Sequence, residues 1–165
     1  MNRLILICAV LLCSMSAGAQ DLPSAPKQCG NPAVSAAIRR IMEQWKDGFN
    51  EGNPDKVAAL YADDATYLTQ HFATGIVHGR PAIRAYVARG ASAHYHIDSL
   101  ELLSSECTAE FAYAITRYQA INSGQSAFGV NLVVLKKMAG RWMIVAHEAA
   151  VPDPSTAIKA LDVER

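Results

Sequence analysis

The sequence predicts a segregated α+β fold, with helices first and a run of antiparallel strands after them. Apolar residues recur at steps of three and four from Val34 to Phe49, the period of one helix face. Beyond Tyr95 the pattern changes to long β-branched and aromatic stretches, broken by the turns Asn122-Ser123-Gly124 and Met138-Ala139-Gly140. The chain of 165 residues is 51% hydrophobic and 18% charged, which gives one packed core and one domain.

The first element is a leader rather than part of the fold. Met1-Asn2-Arg3 is a short positive region, Leu4 to Leu12 is continuously apolar, and Ala17-Gly18-Ala19 supplies small residues for signal peptidase. Residues 1–19 therefore read as a signal peptide, and the mature chain as periplasmic or secreted. The apolar run is short for a bilayer span, so no membrane attachment is expected after cleavage. Ile7 before Cys8 and Leu12 before Cys13 do not give a lipoprotein site the small residue it needs.

Residues 20–32 carry Pro23, Pro26 and Gly30 without an apolar period and read as a linker. Removing the leader leaves Cys29 and Cys107, for which two readings stand. An oxidising compartment favours one disulfide, tying the N-terminal arm to a strand and closing a long loop worth about 4 kcal/mol. Otherwise Cys107 is buried and Cys29 is a free thiol.

Residues 33–152 form the domain and 153–165 a tail. Asn31-Pro32 caps the first helix, whose inner face is Val34, Ile38, Ile41, Met42, Trp45 and Phe49. Asn50-Glu51-Gly52 ends it. Asn53-Pro54 starts a short second helix with Val57, Ala58, Leu60 and Tyr61 inside. Ala65 to Gln70 alternates as a strand, and a short Ile76-Val77 segment follows. Gly79-Arg80-Pro81 opens a third helix with Ile83, Tyr86 and Val87 inside, Arg80 and Arg84 outside, and Gly90 closing it. The remaining strands span about Tyr95–Leu103, Cys107–Ile121, Ala127–Lys137 and Arg141–Val151. Three helices against one face of a curved sheet leave a cavity where the layers diverge.

Lys+Arg and Asp+Glu both total 15, so no broad field draws nucleic acid. The nearest basic cluster, Lys136-Lys137 with Arg141, reads as a solvated hairpin tip.

Trp45-Lys46-Asp47-Gly48-Phe49-Asn50-Glu51-Gly52-Asn53, followed by Ala58-Ala59-Leu60-Tyr61-Ala62-Asp63-Asp64-Ala65, resembles the opening of the nuclear transport factor 2-like superfamily. Gly79-Arg80-Pro81-Ala82-Ile83-Arg84 resembles its glycine-led third helix, and Gly140-Arg141-Trp142-Met143-Ile144-Val145 its last strand. The likeness runs from about residue 33 to 151. It implies a cone-shaped curved antiparallel β-sheet with three helices on its concave face. Its relatives include secreted ketosteroid-isomerase-like and polyketide-cyclase-like (SnoaL-like) proteins and the kinase II association domain. The scaffold hosts many activities, so the resemblance speaks to fold first.

Steroid isomerisation needs a carboxylate base and an oxyanion hole of a tyrosine and a neutral aspartic acid. By the resemblance, the tyrosine position falls on Trp45 and the base on Thr69. The aspartate position falls on Asn131, or on Leu132 without a one-residue gap. Neither carboxylate is kept, so the family's steroid chemistry by these residues is not expected.

Strand alternation then nominates a lining. Tyr67 and Thr69 share a face; so do Phe111, Tyr113, Ile115 and Arg117, and likewise Asn131, Val133 and Leu135. By alignment to the isomerase, Val145, His147 and Ala149 point inward on the last strand. The candidate ligand-binding set is Trp45, Tyr67, Thr69, Tyr113, Arg117 and Asn131, around an apolar cup. His147 is the candidate catalytic residue, a general base near neutral pH; the other reading is a half-buried histidine bonded to a neighbour. Arg117 either meets a ligand carboxylate or is a salt-bridged strand residue.

Asp63-Asp64 reads as a turn cap rather than a catalytic pair. His94 and His96, with Asp98, and with His71, His147 or Glu148 to complete a set, read as sheet packing rather than a metal centre. No cofactor is expected. The expected partners are a small-molecule ligand and a second copy of the chain, docked through the outer sheet face.

Overall fold

The computed structural model describes residues 27–70, 74–93, 95–122 and 124–151. The expected signal peptide, most of the expected linker, residues 71–73, His94, Ser123 and the expected tail, with Pro152 before it, lie outside the described residues.

Helix α1 spans Pro32–Asn50 and α2 Pro54–Ala58. Both starts follow the cap logic. The Asn31 side chain accepts from the Ala33 and Val34 amides at 3.0 and 3.3 Å, and Asn53 accepts from Lys56 N–H at 3.0 Å. All six apolar residues expected on the inner face of α1 are buried. The second helix is shorter than the pattern suggested. Tyr61 lies not on it but at the head of strand β1 (Tyr61–Thr69).

Strand β2 (Ile76–His78) hairpins back on β1, and α3 (Arg80–Ser92) follows. Gly90 does not close α3; it lies inside it. A Cβ there would stand 3.1 Å from the Phe49 ring of α1, so this glycine lets an aromatic side chain rest against the helix backbone. Strands β3 (Tyr95–Cys107), β4 (Phe111–Asn122), β5 (Gln125–Met138) and β6 (Arg141–Ala150) complete the chain.

The six strands form one sheet in the order β2-β1-β6-β5-β4-β3. Neighbours are antiparallel except β1 and β6, which run parallel, so the sheet is mixed at that one seam. Register shifts at Tyr61/Thr66, Ile97/Ser99, Leu102/Ser104 and Val134/Leu135 bend the strands as bulges do. This is the α+β architecture expected, a curved sheet with helices against its inner face.

The N-terminal arm is stapled to the edge strand. Cys29 and Cys107 form a disulfide with Cα atoms 5.3 Å apart, 78 positions apart in sequence. Beside it Ser105 N–H donates to Lys27 O at 2.9 Å, and Cys29 N–H donates to Ser105 Oγ at 3.1 Å. Cys107 ends β3 rather than opening β4, because Thr108 Oγ1 accepts from the Glu110 and Phe111 amides and turns the chain there.

Candidate functional site

A cavity of about 340 Å³ lies between α1, α3 and the inner face of the sheet. Helix α1 contributes Trp45 and Phe49, one turn apart, their rings stacked at 5.4 Å. Tyr95 of β3 meets Phe49 edge-on at 6.0 Å, and Tyr86 of α3 tilts against Tyr67 of β1 at 5.1 Å. Ile97 and Leu100 of β3, Tyr118 of β4, Asn131 of β5 and Ala149 of β6 line the sheet side. Val87, Arg89 and Gly90 complete the α3 wall.

The polar groups facing this space are mostly neutral hydroxyls. Burial raises the phenols of Tyr67, Tyr86, Tyr95 and Tyr118 above their ordinary range, so they stay protonated and able to donate. Tyr95 and Tyr118 bond to each other. Tyr118 lies over its cross-strand partner Gly129, where a Cβ would stand 2.6 Å from the phenol oxygen. Only glycine leaves room for that ring to form a wall. Among the described residues lining the cavity there is no aspartate or glutamate.

One layer below runs a buried chain of side chains. Trp45 Nε1–H donates to Tyr61 Oη at 2.8 Å, and Tyr61 Oη lies 2.7 Å from His147 Nδ1. Indole nitrogen can only donate, so the phenol oxygen accepts from it, while the direction of the Tyr61–His147 bond follows the imidazole tautomer. The other ring nitrogen of His147, Nε2, is a buried atom with no hydrogen-bond partner among the described residues. The ring is also packed against Tyr67, with centroids 4.4 Å apart.

The sequence-derived candidates divide accordingly. Trp45, Tyr67 and Asn131 line the cavity. Thr69 is buried behind it, its hydroxyl 2.9 Å from Tyr86 Oη. Tyr113 and Arg117 do not reach the cavity. They stand on the outer face, where Arg117 pairs with Glu101 at 3.5 Å.

The reason is one of phase: β4 is apolar on both faces, and its inner one holds the small residues Ala112, Ala114, Thr116 and Ala120 beside Tyr118. Small residues mark the face a helix covers, and that signal would have placed Tyr118 inside. His147 points inward, but burial lowers its pKa to about 3 and it does not line the cavity. A buried imidazole of that kind is too weak a base for the role expected near neutral pH. Tyr61 was missed because it was read as helical.

Asp63 and Asp64 are exposed, and Asp63 pairs with Arg80 at 2.8 Å. His96 is exposed beside Asp98 at 3.8 Å. Among the described residues no three His, Cys, Asp or Glu side chains cluster as a metal site would require. No helix among the described residues is long and apolar enough to cross a membrane.

Residues 42–143 match the SnoaL-like domain family. The chain belongs to the SnoaL-like family. A steroid Δ-isomerase of Nocardioides simplex is 30% identical over 83 residues, covering 50% of this chain and 67% of that one. Solved structures of similar fold include a domain of unknown function with a cystatin-like fold from Nostoc punctiforme. It has a TM-score of 0.66 at 20% identity, covering 81% of this chain and 86% of that one. A nuclear transport factor 2-like protein of Pseudomonas putida gives a TM-score of 0.65 at 18% identity, with 77% and 93% covered. A putative calcium/calmodulin-dependent kinase II association domain of Xanthomonas campestris gives 0.57 at 20%, with 80% and 99% covered. These structural likenesses establish the fold.

Proposed function

We propose that this protein is an exported binding protein for a small, largely apolar molecule that carries hydrogen-bonding oxygen atoms. The observation that carries the reading is the cavity of about 340 Å³, walled by aromatic rings and neutral phenols. Such a space suits a compact ring system, with tyrosine hydroxyls and Asn131 orienting its polar atoms. Export rests on the leader-like residues 1–19 and agrees with the disulfide.

The isomerase relative supplies a second reading, catalysis on a steroid. The cavity argues against it, because enolisation needs a base and the lining offers no carboxylate among the described residues. The dimer expectation rests on the outer sheet face, where Ile115, Phe128, Val130 and Leu132 are exposed together.

A titration with N-phenyl-1-naphthylamine, an uncharged fluorescent aromatic, tests the binding reading. Saturable fluorescence enhancement is expected, and Ala149→Phe should abolish it by filling the floor of the cavity. Enhancement that ignores Ala149→Phe, or none at all, would remove the proposal. Conjugated-enone formation from a 5-ene-3-oxosteroid, above the rate in buffer, would replace it with the catalytic reading.

A further inference from the structure

Helix α1 is fastened to the edge strand β3 at its two ends. At one end stand the Cys29–Cys107 disulfide and the bonds of Lys27 and Cys29 to Ser105. At the other, Asn50 Nδ2–H donates to Ile97 O and Asn50 Oδ1 accepts from Ile97 N–H, both at 2.8 Å. This side chain imitates a neighbouring strand.

Between the two fastenings the seam holds a second cavity of about 180 Å³. Met42, Leu100 and Leu102 give it an apolar floor, while Arg39 and Lys46, seven positions apart on α1, give it two cations. Glu43 lies on the same lining, which leaves the lining itself with one net positive charge, and Asp47, just outside it, pairs with Lys46 at 3.9 Å.

The two cavities share a partition one side chain thick. Leu100 lines both. Thr116 of the smaller cavity accepts at 3.2 Å from Asn131 Nδ2–H, and Asn131 lines the larger one. A change of rotamer at this one side chain would join the two spaces without breaking a hydrogen bond.

We propose that the smaller cavity is the outer half of one through-going site. It takes an amphiphile whose anionic group rests between Arg39 and Lys46 and whose apolar body passes Leu100 into the aromatic cavity. The inference rests on the binding function proposed above and adds the charge of the ligand and its route of entry. The positive end is thus on α1, not at Arg117, which lies on the other face of the sheet.

Two probes of similar shape separate the claims: 8-anilinonaphthalene-1-sulfonate, and N-phenyl-1-naphthylamine, which lacks the sulfonate. Arg39→Gln with Lys46→Gln should weaken the sulfonate about tenfold, the scale of losing two partly exposed charge-assisted bonds, and leave the neutral probe unchanged. Glu43→Gln should tighten the sulfonate alone. Leu100→Ala should speed its association severalfold.

If the neutral probe binds but the sulfonate ignores the double variant, or weakens instead with Arg89→Gln, the inference is overturned and the cavity reading stands. If neither probe binds the native chain, both fall.

Discussion

His147 shows how burial decides what a side chain can do. The unfolded chain binds a proton on this imidazole near the ordinary pKa of 6.5, whereas the folded chain holds out until about 3. Between those values acid therefore favours the unfolded state, and stability should fall as pH drops, by about 1.4 kcal/mol per unit. The rings packed around it, Trp45, Tyr61 and Tyr67, do not titrate in that range. Asp55, held low by Arg84, adds its own loss only below about pH 5, so from pH 6.5 to about 5 the slope belongs to the histidine. Urea unfolding at pH 7, 6 and 5 should show it in the native chain, with a flatter profile for His147→Gln. Equal slopes would mean that the imidazole is solvated after all.

At the scale of elements, the seam between α1 and β3 is where local sequence and long-range contact meet. An edge strand has unpaired backbone groups, and here Asn50 and the arm around Lys27 satisfy some of them. The disulfide closes a loop of 78 positions, so losing it should cost about 4 kcal/mol through the entropy of the unfolded chain. Cys29→Ser with Cys107→Ser should lower the urea midpoint accordingly, with the arm rather than the sheet becoming accessible to protease. A double variant as stable as the native chain would show that the arm is held by its hydrogen bonds alone.

For the whole molecule, the unexplained surface is the outer sheet face. Phe128 is 61% exposed and Val130 41%, with Ile115 and Leu132 paired across β4 and β5 beside them. A face of that kind is expected to be covered, and we propose that a second copy of the chain covers it with its own equivalent. Sedimentation at micromolar concentration should give a dimer, and Leu132→Lys should give a folded monomer. A native monomer would send the search for a partner elsewhere.

Sequence by itself determined the caps at Asn31 and Asn53, the inner face of α1, the curved α+β frame and the pairing of Cys29 with Cys107 as one of two readings. The cysteine reading depends on the two thiols left once the expected leader is removed, and the caps, the helix face and the frame on nearest neighbours or on simple periodicity. Trp45, Tyr67 and Asn131 at the cavity were legible for the same reason, with the family resemblance fixing which face was inward. Tertiary structure alone decided the rest. It put Tyr61 on a strand, turned Tyr113 and Arg117 outward, let Gly129 make room for Tyr118, and sank His147 beneath the cavity. Those outcomes depend on bulges and on which of two apolar faces a helix covers, and a strand with greasy residues on both sides does not announce its phase.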